Sequence, residues 1–155
     1  MSYRMDASFA KDASIMLSRI FNFGRGRNRR EAVVRDLIAA VNRMDYARVS
    51  ELLTEDFSYY DASDKGIEGR DRFIEEDRRF REASGNAPIV VDSLDNNRGE
   101  VLLRGHLESD IEQISGPTLW RIVFDGDRVA CADVTRSHSQ MTLPAFANRK
   151  NRQSA

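Results

Sequence analysis

The chain has 155 residues, 41% of them apolar and 32% charged, and its 24 Lys+Arg against 25 Asp+Glu leave a formal net charge of −1. That size suits one domain around one sizeable core, and the charge balance gives no global reason to expect nucleic acid as a partner. One cysteine, Cys131, and two histidines exclude an internal disulfide, a thiolate metal cluster and a multi-histidine metal centre.

The N-terminus lacks the apolar run of a signal peptide, and no stretch approaches about 18 consecutive apolar residues. A cytoplasmic protein without membrane contact is therefore expected. Residues 1–27 read as an N-terminal arm. Phe9, Ile15, Met16, Ile20 and Phe23 give a weak apolar stripe for a short helix, and Gly24–Arg30 (GRGRNRR) interrupts it as a basic linker. The first reading of that segment is a solvated linker. The alternatives are a surface for phosphate or nucleic acid, for which the segment lacks the interleaved aromatic residues such a surface uses, and an arm covering a neighbouring subunit.

A domain is expected over residues 28–136, followed by a C-terminal tail, 137–155. Asn28 and Glu31 have the spacing of a capping box. Val34, Leu37, Ile38 and Val41 then recur at three and four, with Ala40 and Met44 widening the stripe. Asp45 is placed to cap a second helix over Tyr46–Leu53, in which Val49, Leu52 and Leu53 are core candidates. A short strand, Phe57–Tyr60, runs into Asp61 and a polar loop to Gly69. Arg70–Glu82 returns to helical spacing, with Phe73, Ile74, Asp77 and Phe80 on or near one face.

After Ser84-Gly85-Asn86 the period changes. Ile89–Leu94, Glu100–Asp110, Thr118–Phe124 and Arg128–Thr135 read as strands. Asn96–Gly99 and Asp125-Gly126-Asp127 supply turns. Three helices followed by an antiparallel meander is an α+β arrangement. A bent sheet closed by helices would enclose a small-molecule pocket.

The run Val33–Gly69, with its Asn42–Asp45 helix end, its LLTEDF segment, its strand into Asp61 and Ile67-Glu68-Gly69-Arg70, resembles the nuclear transport factor 2-like superfamily. The closer resemblance is to the SnoaL-like branch of polyketide cyclases and ketosteroid isomerases. Leu119–Phe124, the Asp125-Gly126 turn and Arg128–Val134 extend it over about residues 30–136. The resemblance implies a cone-shaped barrel of three N-terminal helices packed against a strongly curved, mixed, mostly antiparallel sheet. It also implies a homodimer, for which Val91, Leu103, Leu119 and Val123 would furnish a covered outer face. One scaffold of this kind serves isomerases, cyclases, dehydratases and binding modules.

By the same resemblance Asp61 matches the general base of the steroid isomerases, and Asp133 the acid/base of the cyclases. Each also has a structural reading. Asp61 can cap backbone amides at a strand end, and Asp133 can be buried against Arg104 or Arg121. The two oxyanion donors of the isomerases fall at Leu37 and near Trp120, so neither is present. Tyr59 and Tyr60 alternate faces, one toward the pocket and one outward. Trp120 and Phe73 read as pocket wall or core. His106 reads first as an outer-surface residue among charged neighbours, and otherwise as a pocket histidine.

No phosphate loop, HExxH, EF-hand or nucleophile elbow is present. The function expected is cofactor-independent acid/base chemistry of isomerase, cyclase or lyase type. Its substrate would be a small hydrophobic, carbonyl-bearing or polycyclic molecule. The alternatives are a non-catalytic binding protein for a hydrophobic ligand, or an interaction scaffold.

Overall fold

The computed structural model describes residues 26–153, and the expectations for residues 1–25, including the apolar stripe and Gly24-Arg25, lie outside the described residues. Helix α1 occupies residues 26–42. There follow α2 (Tyr46–Leu52), β1 (Leu53–Asp61), β2 (Gly66–Glu68), α3 (Arg70–Ser84), β3 (Ile89–Asn97), β4 (Glu100–Leu107), β5 (Gly116–Asp125), β6 (Arg128–Thr135) and α4 (Leu143–Gln153).

The apolar stripe of α1 is buried at Val34, Leu37, Ala40 and Val41. Its start differs from expectation. Asn28 lies inside the helix rather than capping it, and the basic linker is helical from residue 26. The arginines there have partners along the helix and across it: Arg27 lies 3.9 Å from Glu31, Arg29 3.0 Å from Asp127, and Arg30 Nε donates to Asn96. Asp45 does cap α2, its Oδ1 accepting from Arg48 N at 3.2 Å.

The sheet order is β2-β1-β6-β5-β4-β3. β1 and β6 run parallel, and every other neighbouring pair is antiparallel. The expected strongly curved, cone-shaped barrel is corrected by this order. The edges, β2 and β3, stand at opposite ends without pairing, and the sheet is neither closed nor strongly curled. Closure needs edge strands able to pair along their length, and β2 has three residues. Helices rather than a wrapped sheet therefore close the interior. The helix layer is also larger than expected, because α4 packs onto α3 through Phe146 and Phe80, 5.5 Å between ring centroids.

Alternation decides what faces the helices. On β4, Val101, Leu103 and Leu107 are buried; on β5, Thr118, Trp120 and Ile122 are buried. Leu103, expected on the outer face, therefore belongs to the core. Gly105 also points inward. A Cβ there would meet Val90 O at 2.4 Å and Trp120 Cζ3 at 3.4 Å, so the strand approaches too closely for a side chain.

On β6 the alternation is reset by a bulge. Phe124 pairs with Val129 but Val123 pairs with Cys131, leaving Ala130 as an extra residue. Val129, Ala132 and Val134 thus face the core, while Cys131 and Asp133 face out.

Candidate functional site

The helices and the inner sheet face enclose a cavity of about 80 Å³. Leu37, Ile38 and Val41 of α1 border one side, and Phe57, Tyr59, Trp120, Ile122 and Val134 of the sheet border the other. Met141, Thr142 and Leu143, at the start of α4, complete the wall. On the scale where one water needs about 10–15 Å³ of such space, the cavity takes a small molecule and leaves no room for a polycyclic one.

The aromatic wall is one packed unit. The Phe73 ring lies edge-on to Phe57 at 4.9 Å and to Tyr59 at 5.4 Å between centroids. Trp120 Nε1 donates to the Tyr59 hydroxyl at 2.8 Å. That bond uses the oxygen as acceptor, and the phenol's own hydrogen finds no acceptor among the described residues. Burial raises the phenol's pKa, so it stays a donor. The indole donor polarises it, strengthening the donation it can make. The isomerases' two oxyanion donors are absent at Leu37 and near Trp120. Tyr59, oriented by Trp120, is a donor at a different point of the same cavity.

The carboxylate at this cavity is Asp77. It sits on α3 one turn from Phe73, and its side chain is 6% exposed. Tyr46 donates to Oδ2 at 2.8 Å and Arg81 Nε to the same oxygen at 3.0 Å. Oδ1 receives no hydrogen bond from the described residues. Burial pushes this carboxyl up from its ordinary value, and the charge of Arg81 with the two hydrogen bonds only partly offsets it. An acid buried at an apolar cavity with one oxygen unengaged can exchange protons with a bound molecule.

The expected acids lie elsewhere. Asp133 is on the outer face, its side chain 42% exposed and 2.9 Å from Arg121, which also binds Glu100. This is the expected arginine partnership, but on the solvated side and away from the cavity. The Ala130 bulge is the reason, since it reverses the parity shared with Val129. Asp61 ends β1 at the rim and does not border the cavity. Its Oδ1 accepts from Ser63 N, Ser63 Oγ and Lys65 N, and its Oδ2 from Thr142 Oγ1 at 2.8 Å. Burial raises its pKa, but these hydrogen bonds outweigh it and the pKa is lowered. Asp61 is thus a strand-end cap that also holds the first turn of α4, where Thr142 accepts from Ala145 N.

Of the expected ligand-contacting residues, Tyr59, Trp120 and Phe73 border the cavity, whereas Tyr60 and His106 do not. Tyr60 pairs with Asp133 across the sheet, and its hydroxyl binds Glu68. His106 stands on the outer face between Asp92 at 3.0 Å and Glu108 at 3.3 Å, whose hydrogen bonds raise its pKa.

Asp77, Arg136 and the Met141–Leu143 wall are cavity residues that the sequence does not single out as such. Asp77 carried a signal, standing at helical spacing with Phe73 and Phe80 and four residues before Arg81. Thr142 before Leu143-Pro144 is likewise a helix-start pattern. Among the described residues no three His, Cys, Asp or Glu side chains converge to hold a metal ion. No helix among them is long and apolar enough to cross a membrane.

The family model of the SnoaL-like domain matches residues 34–137. No curated protein matches the chain. Among solved structures, it is similar to a protein from Shewanella denitrificans named as a SnoaL-like polyketide cyclase. The identity is 19% over 81% of this chain and 98% of that one, with a TM-score of 0.62. A protein from Kribbella flavida named as a ketosteroid isomerase is 16% identical over 74% and 82%, TM-score 0.64. A third, from Catenulispora acidiphila, has a ketosteroid isomerase-like fold and holds trimethylamine; it is 15% identical over 75% and 95%, TM-score 0.61. At these identities the likeness is one of fold.

Proposed function

The chain belongs to the SnoaL-like domain family, in the polyketide-cyclase and ketosteroid-isomerase branch of the nuclear transport factor 2-like superfamily, and from that premise we propose a cofactor-independent acid/base enzyme acting on a small hydrophobic carbonyl compound in the cavity. Asp77 is the proton-transferring group, in place of Asp61 and Asp133. Tyr59 donates to the carbonyl oxygen as charge develops there, where a positioned donor acts most strongly. The observation that carries the reading is the buried, cavity-bordering Asp77 carboxyl with an unengaged Oδ1.

The reaction class is proton removal next to a carbonyl, the step shared by isomerisation and aldol-type cyclisation. It is testable without the natural substrate. In D2O, the protein should speed exchange of the α-hydrogens of small ketones and oxo acids, followed by NMR. Asp77→Asn should abolish the acceleration, and Tyr59→Phe should reduce it about 10²-fold or more. Binding of such compounds without any accelerated exchange would leave a non-catalytic binding protein. The hydrogen bonds from Tyr46 and Arg81 to Asp77 favour that second reading.

The outer sheet face supports a homodimer. Leu119 and Val123 are half-buried there beside the Glu100-Arg121-Asp133 ion pairs, and a partner sheet would cover them. A monomer alone in sedimentation at micromolar concentration would reject the dimer.

A further inference from the structure

Arg136 is the unbalanced charge of the cavity. It follows β6 directly and borders the same space as Tyr59 and Asp77. The titratable charges of the lining are Asp77, Arg81 and Arg136. Asp77 is engaged by Arg81. Arg136 has no such partner: among the described residues the only titratable group that bears on it is the Tyr59 phenol.

What holds Arg136 is backbone. Nη1 donates to Met141 O at 2.7 Å, and Nη2 donates to Ile114 O at 2.5 Å and to Gly116 O at 3.4 Å. These bonds fix the plane of the guanidinium between the β4–β5 loop and the approach to α4. Nε is shielded from solvent and finds no acceptor among the described residues. A guanidinium keeps its proton, and a charge half-buried without a counter-ion carries part of the cost of an unpaired interior charge. Carbonyl dipoles satisfy its hydrogens but supply no net negative charge. Nη1, with one acceptor for its two hydrogens, keeps a donor to spare, and a fixed, planar cation matches a carboxylate better than any neutral group; one excess charge calls for a monoanion.

We infer that the cavity's ligand is a small organic monocarboxylate, its acid group at Arg136 and its apolar body against Trp120 and Phe73. This rests on the cavity being a small-molecule site, and it narrows the carbonyl compound proposed above to an oxo acid. Arg136 then positions the ligand, and Asp77 and Tyr59 address its carbonyl end.

The chain's one tryptophan is Trp120, on the cavity wall, so its fluorescence reports occupancy. The probes are short acids from propionate and isovalerate to phenylacetate and their 2-oxo forms. Each is compared with its primary amide, which has the same shape and no charge. The acid should bind at least tenfold tighter than its amide to the wild-type protein. Arg136→Gln should bring the two within about twofold, and Arg136→Lys should restore part of the preference. Equal binding of acid and amide would overturn the inference while leaving the small-molecule site intact. Quenching by no member of either series would overturn both. Should Arg136→Gln fail to fold, the acid and amide affinities of the wild type decide alone.

Discussion

Asp133 and Asp77 are the same residue type, each touching an arginine, on opposite sides of one sheet. Asp133 meets Arg121 at 2.9 Å on the exposed face; Asp77 meets Arg81 at 3.0 Å with both side chains buried. The geometry of the two pairs is nearly equal, and the surroundings make them differ. Outside, solvent screens both charges and the pair contributes little. Inside, burial outweighs the arginine, and the carboxyl is pushed up from its ordinary value. Proximity to arginine is thus a poor sign of an idle carboxylate, and depth is a better one.

The sharpest break of that comparison is removal of each acid. Asp77→Asn leaves Arg81 buried without its counter-charge and should cost about 3–5 kcal/mol. Asp133→Asn should cost about 0–1 kcal/mol, discounted for its exposure. Denaturant midpoints measure both, and similar losses would refute the contrast.

A smaller effect is expected where the interior is perturbed without touching a charge. Gly105→Ala drives a methyl into the Val90 carbonyl, with Trp120 close by. It should cost about 1–3 kcal/mol and shift Trp120 emission. Normal stability and an unmoved spectrum would show that the strand relaxes there freely. At the rim, Thr142→Val removes both the cap of α4 and its link to Asp61, a loss of about 1 kcal/mol. Hydrogen exchange should quicken in α4 before it quickens in α3.

The finest test is the sign of the pH dependence. Asp61 has its folded pKa below the ordinary 3.8. Its contribution is complete above that value and is lost as pH falls through the folded pKa. Asp77 has its folded pKa raised, so the folded state holds the extra proton. Stability then falls as pH rises from 3.8 through the folded value. Stability curves of Asp61→Asn and Asp77→Asn should flatten on opposite sides of 3.8. Flattening on the same side would show that one of the two shifts runs the other way.

Most of the fold was legible because its cues are local. The stripe of α1, the Asp45 cap of α2, the period of α3 and the turns at Asn96–Gly99 and Asp125–Asp127 each lie within a few residues. The errors arose where a partner decides. The face of Asp133 depends on a bulge visible only against β5. The role of Asp61 depends on Thr142, which is 81 residues away. Sheet closure depends on whether distant edge strands meet, and no single strand encodes that. Helix α4 is a different kind of miss, since Thr142 and Pro144 announced it locally. Asp77 was placed on the right helix face, but its burial emerges only once the sheet is laid against that face.

The extra residue on β6 behaves like a reading frame. Everything after Ala130 is read in the register that one insertion sets. Were Ala130 paired in regular pleat instead of bulged, Cys131, Asp133 and Thr135 would turn inward and Ala132 and Val134 out, with no letter changed. A carboxylate can therefore enter or leave the interior of such a sheet through one bulge formed or flattened. Two chains of this shape can carry an aspartate at the same aligned column and still present it to opposite sides. Matching columns between them transfers a residue's name, and only the count of residues back to the bulge transfers its direction.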